Sequence, residues 1–273
     1  MRSRSSWLGT IFIILTRLSA RMQPILWGWL YNQMASKDRN GELLFMNYGY
    51  IDEGKNPLKL RPEDEAFRYP IQLYAHMVDG IDLRGKDVVE VGCGRGGGGA
   101  FLIRYHAPSS FIGVDLSKSA IQWCRLRMKF LNACWLQGYA DSLPVPNESV
   151  DIVINVESSH CYPSMTAFLG EVKRVLRPGG YFAFCDIRST EGVEKLDRSF
   201  KESGLEMLER QVITPQVLRA LDSISPQRER QIASYVPRLF RSAFRNFLGV
   251  KNTVQYDMLV AGKMAYLSYL LKS

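Results

Sequence analysis

The 273-residue chain contains 46% hydrophobic and 23% charged residues, a composition typical of globular proteins and not of disordered or fibrous ones. Its net charge of +8 is concentrated at the two ends. Residues 1–40 carry six basic and one acidic side chain and residues 211–273 carry nine and three, whereas residues 41–210 carry twenty and twenty-three. No RNA-binding signature accompanies the basic ends, so we expect no nucleic-acid partner.

The N-terminal segment contains two apolar stretches. Residues 7–15 are too few to span a bilayer, and residues 24–31 are rich in aromatic side chains. We interpret residues 1–60 as a helical cap over the active site, with a targeting segment as the alternative for the N-terminus. The basic ends leave open a peripheral contact with an anionic membrane surface.

The stretch KDVVEVGCGRGGGGAFL, residues 86–102, predicts a buried strand, a tight turn and the start of a helix. Glycines let the turn adopt positive φ and let a ligand approach the backbone. The helix N-terminus offers unpaired N–H groups. The pattern indicates a nucleotide-type site. Dinucleotide binders usually keep this strand apolar to its end, so Glu90 disfavours NAD and FAD, and the absence of a P-loop Lys-Ser/Thr disfavours ATP and GTP.

Strands and helices alternate from residue 83 onward, which predicts a parallel sheet wound by right-handed crossovers. We expect an α/β fold with a doubly wound, seven-stranded, mostly parallel sheet and a helical insertion before the last strand. The predicted strands are 87–92, 110–115, 134–138, 150–156, 181–187, 207–214 and 265–271, and the predicted helices are 97–106, 117–130 and 164–176. The domain division is 1–60 for the cap, 61–214 for the core, 215–262 for a helical lid insertion and 263–273 for the final strand.

A second acidic residue, Asp115, ends the strand FIGVD about twenty residues after the turn, where a carboxylate can accept both hydroxyls of a ribose. With Glu90 and the phrase RVLRPGGYFAF, it makes the chain resemble the class I S-adenosylmethionine-dependent methyltransferases. The resemblance implies S-adenosyl-L-methionine as cofactor and no metal. The cofactor-binding residues that it implies are Tyr50 of the NYGY loop, Glu90, Gly92, Gly94, Gly96, Asp115, Leu116, Ala140, Asp141 and Asn155.

The loop after the fourth strand reads NVESSHCYP and lies where the carboxyl ends of a doubly wound sheet place the site. His160 could take the proton of a hydroxyl as it is methylated, and Glu157 could orient the imidazole or bind a polar group of the substrate. The alternative is that His160 caps the loop. A nucleophilic Cys161 is disfavoured because methyl transfer needs no covalent enzyme intermediate. The five cysteines lack zinc or disulfide spacing, which favours a reducing compartment.

A narrower resemblance follows from NVESSHCYP, RVLRPGGYFAFCDIR and ITPQVLRAL, which are similar to mycobacterial phthiotriol and phenolphthiotriol dimycocerosate methyltransferases of methyltransferase type 11. The phrase GELLFMNYGYID resembles fungal secondary-metabolite O-methyltransferases of the glandicoline B type. Both imply an O-methyltransferase acting on a hydroxyl, or an N-hydroxyl, of a hydrophobic alkaloid, polyketide or lipid. The cysteine pattern favours a cytoplasmic location. C-methylation of a sterol- or quinone-like substrate and a non-catalytic cofactor-binding scaffold are the alternatives. The oligomeric state is left open.

Overall fold

The structure, a computed structural model, describes residue 38 and residues 41–273. Seven strands in this part of the chain form one sheet. They are β1 (Asp87–Val91), β2 (Ser110–Asp115), β3 (Ala133–Gln137), β4 (Val150–Val156), β5 (Leu176–Ser189), β6 (Glu206–Val212) and β7 (Met264–Lys272). Each strand overlaps one of the strands that the sequence predicts.

The strand order is β3-β2-β1-β4-β5-β7-β6. The first five strands pair in parallel, whereas β7 runs antiparallel to both β5 and β6. This arrangement confirms the predicted doubly wound, mostly parallel sheet. Because the chain order reverses between β1 and β4, the carboxyl ends of these two strands form the switch point at which ligands bind in such sheets.

Helices cover both faces of the sheet. The described residues contain eight α-helices: α1 (Arg68–Met77), α2 (Gly97–His106), α3 (Lys118–Arg127), α4 (Met165–Val175), α5 (Thr190–Glu202), α6 (Thr214–Tyr235), α7 (Arg241–Phe247) and α8 (Val254–Val260). No helix in this part of the chain is long and apolar enough to cross a bilayer.

Alternate residues of the strands point to opposite faces, so the sheet has a core on each side. Val88 packs into the core that contains residues of α1, α2 and α3, whereas Val89 packs into the core built on α4 and α5. Burial on both faces explains why β1 and β4 are almost continuously apolar. A polar side chain in such a strand, as at Glu90, therefore needs an explanation from function.

The Pro-Gly-Gly phrase lies inside β5 instead of preceding it. Val150 pairs with Leu176 and Ile152 pairs with Tyr181, so β5 advances by five residues while β4 advances by two. The extra residues form an irregularity in the strand, and Gly179 adopts φ 79° within it. The predicted start of the fifth strand at residue 181 is therefore five residues late.

Helix α5 was not predicted from the sequence. Its buried residues are Leu196 and Phe200, which lie one turn apart, and most of its other residues are polar or charged. Val193, Leu196 and Phe200 nevertheless follow the i, i+3, i+7 spacing of one helix face, a signal that would have predicted the helix.

The segment between β6 and β7 contains α6, α7 and α8, in the span predicted as a helical insertion. A third apolar cluster joins this segment to the loop before α1, because Leu43 packs with Ile232, Phe244 and Leu248. The predicted cap, residues 1–60, lies mostly outside the described residues. Only its final part can be placed, against the 215–262 segment.

Candidate active site

The glycine turn after β1 carries the backbone geometry that its sequence predicts. Gly92, Gly94 and Gly96 have φ of 78°, 53° and 76°, which only glycine adopts without strain. A Cβ on Gly92 would lie 2.3 Å from Oγ of Ser158. The backbone of Gly92 therefore packs directly against Ser158 in the loop that follows β4, where a side chain would not fit.

Glu90 is fully buried beneath this turn, where it accepts a hydrogen bond of 2.6 Å from the Tyr74 hydroxyl of α1. Burial raises the pKa of its carboxyl to about 8, although the hydrogen bond from Tyr74 acts in the opposite direction. An acid kept neutral inside the sheet is unfavourable for stability, so it indicates a functional requirement. Nothing in the sequence around Tyr74 distinguishes it from an ordinary core residue.

Asp115 ends β2 beside the turn. Its carboxylate accepts hydrogen bonds of 2.8 Å from the backbone N–H groups of Gly94 and Ser117. Burial raises its pKa above the ordinary value, while these two hydrogen bonds favour the charged form. The next residue, Leu116, is 48% exposed although it is large and apolar. The fixed carboxylate of Asp115 suits the hydroxyls of a ribose, and the exposed Leu116 beside it suits the flat face of a nucleobase.

The loop after β3 carries the other predicted adenine contacts. Tyr139 and Ser142 form an isolated antiparallel bridge, and this tight turn presents Ala140 and Asp141. Asp141 is exposed. The structure therefore places Ala140 and Asp141 on a solvent-exposed turn directly after β3, which is the neighbour of β2 in the sheet.

Asn155, near the end of β4, joins the turn to the loop that follows β4. Its buried Nδ2 donates to the Val91 carbonyl at 2.9 Å and lies 2.8 Å from both Ser158 Oγ and the Tyr162 hydroxyl. Its Oδ1 has no hydrogen-bond partner among the described residues. A ligand with N–H donors bound at the glycine turn could donate to this oxygen and satisfy it.

These features together fit S-adenosylmethionine. Bare glycine backbone leaves space for the ligand, Asp115 offers an acceptor for ribose hydroxyls, and Glu90 and Asn155 offer acceptors for a cationic amino-acid end. No group of three or more His, Cys, Asp or Glu side chains in the described residues could hold a metal ion.

His160 lies in a short 3-10 turn, Ser159–Cys161, directly after β4. Its Nδ1 lies 2.7 Å from Oδ1 of Asp186, a residue of β5 that the sequence analysis did not name. Asp186 is completely buried, whereas 30% of the His160 side chain is exposed. Asp186 therefore holds the imidazole through Nδ1, and the rest of the ring is accessible from outside the protein.

Asp186 collects several donors besides the imidazole. Its Oδ2 accepts from the Ser159 hydroxyl at 2.6 Å and from the His160 backbone N–H at 2.9 Å, and it pairs with Arg188 at 3.0 Å. Burial opposes its charge, but the His160 imidazole and Arg188 outweigh burial and depress the pKa of Asp186. The carboxylate thus remains ionised in the core.

The protonation of His160 follows from the same contacts. Burial favours the neutral ring, but the charge of Asp186 outweighs it and raises the pKa of His160 well above its usual value. The exposed Cys161 thiol also hydrogen-bonds with the ring. The contact with Asp186 therefore favours the protonated form of the imidazole.

Glu157 does not orient His160 in this structure, since that position belongs to Asp186. Glu157 instead accepts from the backbone N–H of Tyr48 at 2.5 Å and from the Tyr266 hydroxyl of β7. Burial raises the pKa of its carboxyl to about 7. Its φ of 47° is strained for a residue with a side chain, as is common at functional sites. The other predicted role of Glu157, binding a polar group of the substrate, stays a prediction.

Tyr50 lies away from the glycine turn. Its ring stacks on His76 with centroids 4.4 Å apart. His76 is two residues after Tyr74 on α1, so the two side chains point to nearly opposite sides of that helix. Only Tyr74 reaches Glu90. The predicted contact of Tyr50 with the cofactor stays a prediction that this arrangement does not support.

A buried arginine that the sequence analysis did not single out joins the 45–50 loop to the insertion. Arg228 of α6 donates to the carbonyl of Asn47 at 2.6 Å and to that of Leu248. Its guanidinium lies 5.6 Å from the ring centroid of Tyr48. Burial lowers its pKa to about 10, although Glu157 acts in the opposite direction. The walls on this side of the site are therefore fixed by buried polar contacts.

The sheet order, the glycine turn with its two carboxylates and the histidine loop at the same edge define a class I S-adenosylmethionine-dependent methyltransferase. A family model described as methyltransferase domain matches residues 89–184. The chain is 37% identical over 248 residues to the phthiotriol/phenolphthiotriol dimycocerosates methyltransferase of Mycobacterium leprae, covering 91% of this chain and 92% of that protein. It is 36% identical over 237 residues to the fatty-acid O-methyltransferase of Mycolicibacterium smegmatis, covering 84% and 86%. The chain belongs to the methyltransferase family that contains these enzymes.

Solved structures show the same fold. The cyclopropane synthase of Mycobacterium tuberculosis matches with a TM-score of 0.63 at 14% identity, covering 89% of this chain and 97% of that one. The geranyl diphosphate C-methyltransferase of Streptomyces coelicolor A3(2) matches with a TM-score of 0.63 at 16% identity and the same coverage. At these identities the likeness concerns the fold alone. Family and fold together establish S-adenosylmethionine as the cofactor and methyl transfer as the reaction.

Proposed function

We propose that the protein is an O-methyltransferase that transfers the methyl group of S-adenosylmethionine to a hydroxyl of a hydrophobic, lipid-like small molecule. The observation that carries the proposal is the contact between His160 and Asp186 at the carboxyl edge of the sheet. Asn155 ties the histidine loop to the glycine turn, so the base and the cofactor turn form one site. A hydroxyl acceptor needs such a base.

The bound cofactor supplies a methyl group already activated on a sulfonium. The protein must align the acceptor, exclude water and remove one proton. The glycine turn, Asp115, Glu90 and Asn155 would hold the cofactor. The acceptor O–H proton would pass to the ring nitrogen of His160 opposite Asp186 as the acceptor oxygen takes the methyl group. Asp186 stabilises the imidazolium that results. A positioned base of this kind typically contributes about 10²–10⁴ in rate.

The acceptor class is supported by the relatives. They are named for phthiotriol dimycocerosates and for fatty acids, which are both lipids. A hydroxyl acceptor agrees with the need for a base, whereas a carboxylate acceptor is already ionised. Alkaloids, including N-hydroxyl compounds, and polyketides are the further acceptors implied by the resemblance to fungal enzymes. We assign the acceptor-facing walls to residues 41–60 and 215–262.

The cellular setting is part of the proposal. Five cysteines, all free thiols, support a reducing compartment such as the cytoplasm. A hydrophobic acceptor partitions into membranes, which makes peripheral membrane association part of the proposal.

The experiment compares three acceptors of one chain length: a long-chain secondary alcohol, the corresponding carboxylic acid and the methyl ether of the alcohol. Each is incubated with enzyme and methyl-labelled S-adenosylmethionine, and products are identified by mass spectrometry. We expect label in the alcohol product, as a new methyl ether, and none with the ether control. Methylation of the acid alone, or label attached to carbon, would contradict a hydroxyl acceptor.

A further inference from the structure

The segment RLRMKFL, residues 125–131, contains the two most exposed large hydrophobic residues of the described chain. Leu131 is 108% exposed and Leu126 is 71% exposed, the highest values among the large hydrophobic residues described. The segment comprises the last turn of α3 and the loop that leads to β3. We call it the basic-apolar segment. Isolated exposed leucines are ordinary, but two in one short basic segment are not.

The charges of this segment are not neutralised nearby. The side chain of Arg125 donates to the Trp135 carbonyl at 2.8 Å, and Lys129 donates to the Arg125 carbonyl at 2.9 Å. Arg127 is exposed. In the described part of the chain none of the three cations takes part in an ion pair. Residues 91–140 as a whole contain six basic residues and one acid, within a middle region that is slightly acidic overall.

The surface beside these cations is a shallow apolar groove of about 390 Å³. Met128, Phe130 and Leu131 line it together with Lys129. Phe130 is held from the other side by the guanidinium of Arg104, 5.7 Å from its ring centroid. The segment thus presents apolar side chains on a supported surface with cations between them.

Charge decides which occupant fits. The N-terminal forty residues carry six basic side chains and one acid, so they would be repelled. A second copy would bring the same cations to a symmetric contact. Nucleic acid would match the charge, but proteins hold bases mainly by stacking and hydrogen bonding, which exposed leucines do not supply. An anionic membrane offers phosphates to cations and an acyl boundary to leucines.

We propose that the basic-apolar segment binds the surface of anionic membranes, with Leu126 and Leu131 entering the headgroup region and Arg127 and Lys129 contacting lipid phosphates. The proposal differs from the sequence-based expectation, which assigned membrane contact to the two basic ends of the chain. It does not depend on which acceptor the enzyme methylates.

The position of the segment separates membrane binding from catalysis. Helix α3 runs back along the sheet after β2, and residue 132 hydrogen-bonds through its carbonyl to Phe111 at the start of β2. The segment therefore lies at the amino edge of the strands, whereas His160 lies at the carboxyl edge. Membrane docking leaves the candidate site on the side away from the bilayer, where variants of the segment do not touch it.

The test is sedimentation of the full-length protein with vesicles. One set contains phosphatidylcholine alone, and another contains about three parts phosphatidylcholine to one part phosphatidylglycerol. The variants are Arg127→Gln with Lys129→Gln, and Leu126→Ser with Leu131→Ser. The matched control is Arg198→Gln with Lys201→Gln on exposed positions of α5, which removes the same charge elsewhere. Binding of S-adenosylhomocysteine, measured by calorimetry, checks that each variant is folded.

We expect wild type to sediment with the anionic vesicles at low salt and to be released at high salt. Neutralising two surface cations should weaken binding roughly 25-fold, and removing the two leucines roughly tenfold, with the α5 control unchanged. Absence of wild-type binding at low salt, equal effects in the α5 control, or binding of both segment variants at wild-type strength would overturn the proposal. So would preferential binding of duplex DNA or RNA over the vesicles in competition.

Discussion

Asp186 Oδ1 lies 2.7 Å from Nδ1 of His160, and Oδ2 of the same carboxylate accepts the backbone N–H of His160 at 2.9 Å. One buried side chain thus fixes both the ring and the main chain of the proposed base. The contact also joins the loop after β4 to β5, two neighbouring strands of the switch-point edge. The orientation of the His160 ring is therefore fixed by a residue of the sheet.

Replacing His160 by alanine should lower kcat about 10²–10⁴-fold, because the acceptor proton then passes to water. Cofactor affinity should stay within about threefold of wild type, since the ring contacts Asp186 and Cys161 and not the glycine turn. Single-turnover kinetics and calorimetry with S-adenosylhomocysteine separate the two effects. An unchanged turnover would remove the general-base role and favour C-methylation.

The pH dependence of the reaction should report the influence of Asp186. The neutral ring is the active base, and Asp186 raises the pKa of His160 well above its usual value, so kcat should rise with pH through that raised pKa. Asp186→Asn removes the charge and should move this acid limb to lower pH. The plateau should fall roughly tenfold or more, because the imidazolium loses its partner.

The direction in which the acid limb of kcat moves shows whether Asp186 sets the pKa of His160 or only stabilises the fold. A variant that only loosened the fold would lose rate at every pH. Ser159→Ala is the matched control, because it removes a neutral donor to Asp186 at 2.6 Å without changing charge. An acid limb that stays in place in Asp186→Asn would show that Asp186 does not set the pKa of His160.

The sequence predicts the sheet well because most strands, with β6 the exception, contain an apolar run bounded by turn residues. The cofactor turn is also readable, since glycines with positive φ and carboxylates at strand ends leave local signals. The backbone N–H of Gly94 donates to the Asp115 carboxylate, so the turn and the second acid meet as this reasoning expects. His160 was identified because it is one of only three histidines and follows a predicted strand.

The partners of these residues could not be read in the same way. Tyr74 and Tyr266 lie in apolar surroundings, and their hydroxyl contacts depend on helix and strand packing. Asp186 left one usable signal: an acid near the end of the fifth predicted strand. Glu157 was assigned to His160 because it is near in sequence. Its left-handed backbone instead places its carboxylate with Tyr48 and Tyr266.

Cofactor binding should be linked to the ionisation of Glu90. Its pKa of about 8 leaves it mostly neutral at pH 7, and a cationic ligand favours the carboxylate. Affinity for S-adenosylmethionine should therefore increase as pH rises towards about 8, by up to roughly tenfold per unit, with release of a proton. Calorimetry in two buffers of different ionisation enthalpy measures that proton directly. Glu90→Gln should bind more weakly and show no proton release; a release equal to wild type would assign it to another group.

Glu157 should lower the stability of the ligand-free protein as pH rises. Its folded pKa of about 7 exceeds the ordinary value of 4.5, so between these values the unfolded chain loses a proton that the folded protein keeps. Stability is therefore highest below the lower value and falls as pH rises through about 7. Glu157→Gln keeps an acceptor for Tyr48 and Tyr266 without the charge. It should reduce the pH dependence of the unfolding free energy by on the order of 2 kcal/mol between about pH 5 and pH 8, measured with urea.

The close approach at the glycine turn can be separated from backbone strain by two matched substitutions. Gly92 and Gly85 have φ of 78° and 70°, so alanine should cost each about 1 kcal/mol of conformational strain. A Cβ on Gly85 meets nothing within 4 Å, whereas one on Gly92 would lie 2.3 Å from Oγ and 2.5 Å from Cβ of Ser158. Gly85→Ala should bind S-adenosylhomocysteine normally, and Gly92→Ala should lose more than roughly tenfold in affinity.

Ser158 is the residue through which the Gly92 substitution should act. Its hydroxyl lies 2.8 Å from Asn155 Nδ2 and 2.8 Å from the Tyr162 hydroxyl, so pushing it aside disturbs the loop that carries His160. Adding Ser158→Gly to Gly92→Ala removes both atoms that clash and should restore part of the lost affinity. Calorimetry on the two single variants and the double variant completes the cycle. Equal losses in Gly85→Ala and Gly92→Ala, or no recovery in the double variant, would show that strain and not contact makes glycine necessary at position 92.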